Sequence, residues 1–84
     1  MYSARDEEPL SISHEERHEM IAVAAYFLAE RRGFPGGGAL DDWIQAEQQI
    51  DAMIDRMRRH GATRQDLARV GLRNALHLWQ EDEQ

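Results

Sequence analysis

The six residues Gly33-Phe34-Pro35-Gly36-Gly37-Gly38 hold four of the chain's six glycines and one of its two prolines. Such a run sustains neither helix nor strand, because glycine loses too much backbone entropy and proline lacks the donor both structures use. It therefore divides the chain into two helical patterns. Upstream, apolar residues recur at Ile21, Ala24, Ala25 and Leu28, with Met20, Val23 and Phe27 widening the stripe. Downstream, Trp43, Ala46, Ile50, Met53, Ile54 and Met57 form a narrower stripe at helical spacing. Neither stripe can be buried alone, so the pair predicts an antiparallel helical hairpin.

The ends of these helices are also written in the sequence. Ser13-His14-Glu15-Glu16 has the form of a capping box, placing the first helix over about 14–32 with Gly33 in the left-handed position that closes it. Asp41 or Asp42 is expected to cap a second helix over about 42–60. Asp55 and Arg59 then fall at pairing distance, Arg58, Arg59 and His60 complement the negative end of the dipole, and Gly61 stops the helix. Thr63, with Asp66 three residues on, caps a third helix over about 64–80. That helix carries two apolar lines: Leu72, Ala75, Leu76 and Trp79 on one, Leu67, Val70, Gly71 and Leu78 on its neighbour. It is read as continuous, with Gly71 permitting a close helix crossing. The expected architecture is all-α, a hairpin plus a third helix in a small bundle. A single domain over residues 13–80 follows a flexible acidic arm, 1–12, and precedes an acidic tail, 81–84.

Composition narrows the classes of function. A chain of 84 residues supports one domain, and one of modest stability. It has no cysteine, so neither a disulfide framework nor a thiolate metal site is available. The amino-terminal residues lack the basic start and apolar core of a secretory signal, and the apolar stretch from Met20 to Ala29 is about half a membrane span. A cytoplasmic protein is expected. Sixteen acids against ten bases, all arginine, give a net charge of −6. Phosphate neutralisation supplies most nucleic-acid affinity, so this balance favours a protein partner.

Three patterns suggest chemistry and are read structurally. His14-Glu15-Glu16-Arg17-His18 matches the H-E-x-x-H spacing of zinc hydrolases. It sits in a polar first turn, with no third ligand in prospect, so neither a metal site nor a catalytic residue is assigned. Thr63 to Leu72 looks like the core of a DNA-binding helix-turn-helix, yet Ala68 and Gly71 are one residue closer than that motif requires. Arg56, Arg58, Arg59 and His60 form a short basic patch that suits a helix carboxyl end. No cofactor fingerprint is present.

The hairpin also resembles a known family. Ile21-Ala22, Ala25-Tyr26, Arg32-Gly33, Pro35-x-Gly37 and Leu40-x-x-Trp43-x-x-Ala46-Glu47 are similar to the bacterial family called domain of unknown function 2934. Its pattern runs from an I-A-x-x-A-Y helix through an R-G-x-P-x-G loop to a D-W-x-x-A-E helix. The likeness covers about residues 16–50; Leu28 and the glycine run at 36–38 depart from the usual pattern. It implies the hairpin and a bacterial origin, and brings no activity, ligand or catalytic residue with it.

The physical reading of those residues is a scaffold. Tyr26 and Trp43 are expected to lock the two helices together, Pro35 to direct the loop, and Glu47 to pair with Arg31 or Arg32 across the hairpin. The function expected is that of a non-enzymatic interaction module or accessory subunit, without cofactor, binding a protein partner or a second copy as a homodimer. Leu67, Val70, Leu78 and Trp79 are the surplus apolar residues expected at that contact, with Arg69 and Arg73 beside them. The alternatives are a small nucleic-acid-associated regulator using Arg64, Arg69 and Arg73, or an acidic DNA-mimic inhibitor. A zinc-dependent hydrolase ranks last.

Overall fold

Ser13 starts the first helix with both halves of the capping box formed. Its hydroxyl accepts from the Glu16 amide at 3.0 Å, and the Glu16 carboxylate accepts from the Ser13 amide at 2.9 Å. The computed structural model describes residues 10–34 and 38–79, which form α1 (His14–Arg31), α2 (Ala39–Arg59), α3 (Arg64–Val70) and α4 (Leu72–Leu78). Helices α1 and α2 form the antiparallel hairpin, and the two short helices complete an all-α bundle.

Both long helices end in the double hydrogen bond of the Schellman motif. At α1, Gly33 donates to the Glu30 carbonyl and Phe34 to that of Ala29; at α2, Gly61 donates to Arg58 and Ala62 to Met57. Ala62 and Met57 are both buried, supplying the apolar contact that accompanies this ending.

The second helix begins three residues earlier than its acids suggested. Gly38 is its N-cap, in left-handed backbone at φ 82° and without a side-chain cap. Asp42 accordingly lies inside the first turn, 8% exposed, and is not a cap. A Cβ at position 38 would stand 3.3 Å from Cζ of Arg32, so backbone conformation and close approach both favour glycine there.

The core takes the predicted α2 stripe nearly whole but only part of the α1 stripe, where Met20, Ala25 and Leu28 are partly buried and Val23 is exposed. Ile21 and Ala24 from α1 meet Ala46, Ile50, Met53, Ile54 and Met57 from α2, with Trp43 half-buried against them. Each large side chain buried here contributes roughly 1.5–3 kcal/mol. Leu10 joins this core at 2% exposure, and Ile12 packs against it. The expected arm is therefore packed from residue 10 onward; its first nine residues and the tail at 81–84 lie outside the described residues.

The third helix is two helices. Gly71 has φ 86° and ψ 154°, a region open in practice to glycine alone, and it ends α3 while starting α4. The reason is burial. A single straight helix cannot turn two adjacent apolar lines to one core, whereas two short helices each present their own. Leu67 and Val70 from α3 and Leu72, Leu76 and Trp79 from α4 all pack on the core, and Ala75 is fully buried.

Candidate interaction surface

The residues predicted to lock the hairpin divide into several roles. Trp43 packs on the core and meets the His18 ring at 5.0 Å, so it does join α2 to α1. Tyr26 does not: it is 55% exposed and contacts Phe27 and Phe34, both on its own side of the loop. Pro35 lies outside the described residues. Glu47 pairs with Arg17 at 2.9 Å, and not with Arg31 or Arg32.

Arg17 carries the first of two ion-pair clusters that fasten the hairpin. Its Nε and Nη2 reach both oxygens of Asp51, at 2.8 and 2.9 Å, while Nη2 also reaches Glu47. Asp51 and Glu47 stand one helical turn apart, which is why one planar fork serves both. Hydrogen bonding to Asp51, then to Glu47, strongly favours the charged form of Arg17. The same bond to Arg17 lowers the Asp51 carboxyl below its ordinary value.

The second cluster closes the loop end. Arg32 places Nη2 2.6 Å from one Asp42 oxygen and Nε 3.2 Å from the other. Asp42, a cap candidate by sequence, is instead the partner of Arg32. Its position one turn inside a helix, opposite the arginine that precedes the loop, was the available signal.

The residues proposed from the sequence as partner contacts are mostly spent within the fold. Leu67, Val70 and Trp79 pack on the core and are not surplus; Trp79 also meets the His60 ring at 5.4 Å. Arg73 binds Glu30 at 3.0 Å and lies 4.0 Å over the Phe27 ring. Arg64 is held by the Glu16 carboxylate and by the Ser11 carbonyl. Leu78, at 63%, and Arg69 remain exposed without such a partner, while Arg64 and Arg73 are exposed but paired.

What is exposed instead is the hairpin. Val23, Tyr26, Phe34, Leu40 and Ile44 are, apart from Leu78, the large apolar side chains open to solvent among the described residues. The Tyr26 and Phe34 rings meet, tilted, at 5.4 Å beside the loop, and Leu40 and Ile44 stand one turn apart at the start of α2. Phe34 is held there in left-handed backbone at φ 61°, unusual for a side chain of its bulk.

The remaining motifs have these positions. His14 is exposed at the start of α1, and His18 leans on Trp43. Among the described residues no three side chains of histidine, aspartate or glutamate stand close enough to hold a metal ion. Among them, too, no helix is long and apolar enough to cross a membrane. Arg58 donates to the Leu10 carbonyl at 2.8 Å, and Arg59 forms the expected pair with Asp55 at 2.6 Å.

Neither the curated proteins nor the solved structures contain a match to the chain. The hairpin does match a family model, over residues 16–52, described as a protein of unknown function. That span, the DUF2934 family's, covers less than half of the chain and holds Arg17, Arg32, Asp42, Trp43 and Glu47, so the likeness to this family is one of the hairpin.

Proposed function

We propose that this chain is a non-enzymatic interaction module that docks an apolar surface of another protein, or of a second copy, against the loop end of its hairpin. The supporting observation is the exposure of Leu40, at 71%, with Ile44 a turn away and the Tyr26–Phe34 pair across the loop. So small a domain rarely leaves several large apolar side chains clustered near one end unless they meet something. The proposal moves the contact from the third helix, where the sequence suggested it, to the hairpin itself. The titratable groups around the hairpin fasten its helices together, which fits a scaffold better than a reaction centre. A cytoplasmic setting accords with the cysteine-free composition.

The break at Gly71 is the interruption a helix-turn-helix needs. Its joint is a single residue where that motif has three or four, and two of the three arginines such a reading uses are bound to glutamates. A protein partner is therefore preferred.

Sedimentation velocity and cross-linking in source-cell lysate test the proposal. The double variant Leu40→Ser/Ile44→Ser should keep the wild-type melting temperature, since both side chains are exposed. It should lose the self-association or cross-linked partner that wild type shows. A wild-type monomer with no cross-linked partner overturns the proposal, as does a double variant that keeps both.

A further inference from the structure

A groove of about 590 Å³ runs between α1, α2 and α4, on residues that the interaction proposal does not use. Its size falls within the roughly 300–1,000 Å³ of small-molecule sites. Leu28, Leu76 and Trp79 give it an apolar lining, continued by the Phe27 ring. Along α2 the lining is Gln45, Gln48, Gln49 and Ala52. None of these three amide side chains has a hydrogen-bond partner among the described residues, so each is free to meet a ligand.

Charge decides what kind of ligand. The chain as a whole is −6, yet the groove's charged lining is one glutamate against two arginines. Arg73 is already balanced by Glu30 and laid over Phe27. Arg31 is different: it ends α1 at the groove, is exposed, and makes no ion pair among the described residues. An unbalanced guanidinium beside an apolar lining suits a carboxylate, which it can hold through two parallel hydrogen bonds.

We propose that this groove binds a small molecule in which an apolar body of aromatic size carries a carboxylate. The body lies against Leu28, Leu76 and Trp79, the carboxylate meets Arg31, and the glutamine amides take further polar groups. This site is independent of the loop-end surface, and neither proposal depends on the other.

An amide NMR titration of the full chain tests the proposal, with naphthoate as probe and naphthylmethanol as its uncharged counterpart. Naphthoate should saturate, shifting the side-chain amides of Gln45, Gln48 and Gln49 while leaving those near Leu10 unmoved. The alcohol should bind about tenfold more weakly, and Arg31→Gln should weaken naphthoate by a similar factor. Ala52→Phe, which fills the groove, should abolish binding. Equal affinity for acid and alcohol, an unaffected Arg31→Gln variant, or no shift up to about 10 mM would overturn the proposal. Groove signals that shift on dilution alone would place a second copy there, with the same result. So would a tenfold gain in affinity from Glu81→Gln/Asp82→Asn/Glu83→Gln, which would assign the groove to the chain's own acidic end.

Discussion

At the scale of single residues, one carboxylate connects three parts of the fold. Glu16 completes the cap of α1 through the Ser13 amide and at the same time receives Arg64 from α3. The Arg64 hydrogen bond first, and the Ser13 amide second, hold its carboxyl down at about 2. A carboxyl depressed on folding stabilises the native state above its ordinary value, near 4.5, and that contribution disappears as pH falls toward 2. Glu16→Gln keeps a side-chain acceptor for the cap and removes the charge. Its melting temperature should therefore lie below wild type at neutral pH, and the two should converge as pH falls from about 4.5 to 2. Thermal melts across that range decide the matter; a gap that stays constant with pH would mean the Arg64 pair contributes nothing.

At the scale of elements, the joint at Gly71 shapes the carboxyl-terminal half. A Cβ added there meets nothing within 4 Å, so the cost of any side chain is conformational and not steric crowding by neighbours. Gly71→Ala should destabilise the protein by about 1–3 kcal/mol, read from a urea midpoint. If the variant gains helical signal without losing stability, α3 and α4 can merge and the break is unimportant. The break was legible in principle, since Leu67 and Val70 are out of line with Leu72, Ala75 and Trp79. Reading the two lines as one continuous helix forced a surplus face that does not exist. The hairpin was more readable because its stripes, caps and terminal glycines agree with one another. What the sequence could not convey was the pairing of side chains. Arg32 could choose between Asp42 and Glu47, and only the approach of the helices at the loop decides that Asp42 is near enough. Likewise Tyr26 resembles a packing residue by type, but it is exposed and meets Phe27 and Phe34 and not the core. The groove was hidden for the same reason, as it needs three helices placed together.

At the scale of the whole molecule, the question is how a chain of 84 residues, without a cysteine to form a disulfide, closes its core. Part of the answer lies before the first helix. Leu10 is buried at 2% exposure, its carbonyl takes Nε of Arg58 from α2, and the next carbonyl, of Ser11, takes Arg64 from α3. Three residues of non-helical chain thus connect the end of the hairpin to the short helices, with Leu10 buried in the core they share. The arginines act through backbone acceptors, so the strap depends on the chain's path, while its apolar energy comes chiefly from one side chain. Leu10→Ala should therefore cost about 2–4 kcal/mol, as core leucines do. In a domain this small that lowers the melting temperature by on the order of 10 °C or more. Because Leu10 touches a core shared by all four helices, the loss should appear as one cooperative transition at lower temperature. Circular dichroism and tryptophan fluorescence, the latter reporting Trp43 and Trp79, should then melt together. A variant that melts with wild type would show that the strap is peripheral. One whose fluorescence changes well before its helical signal would show that the strap holds α3 and α4 alone.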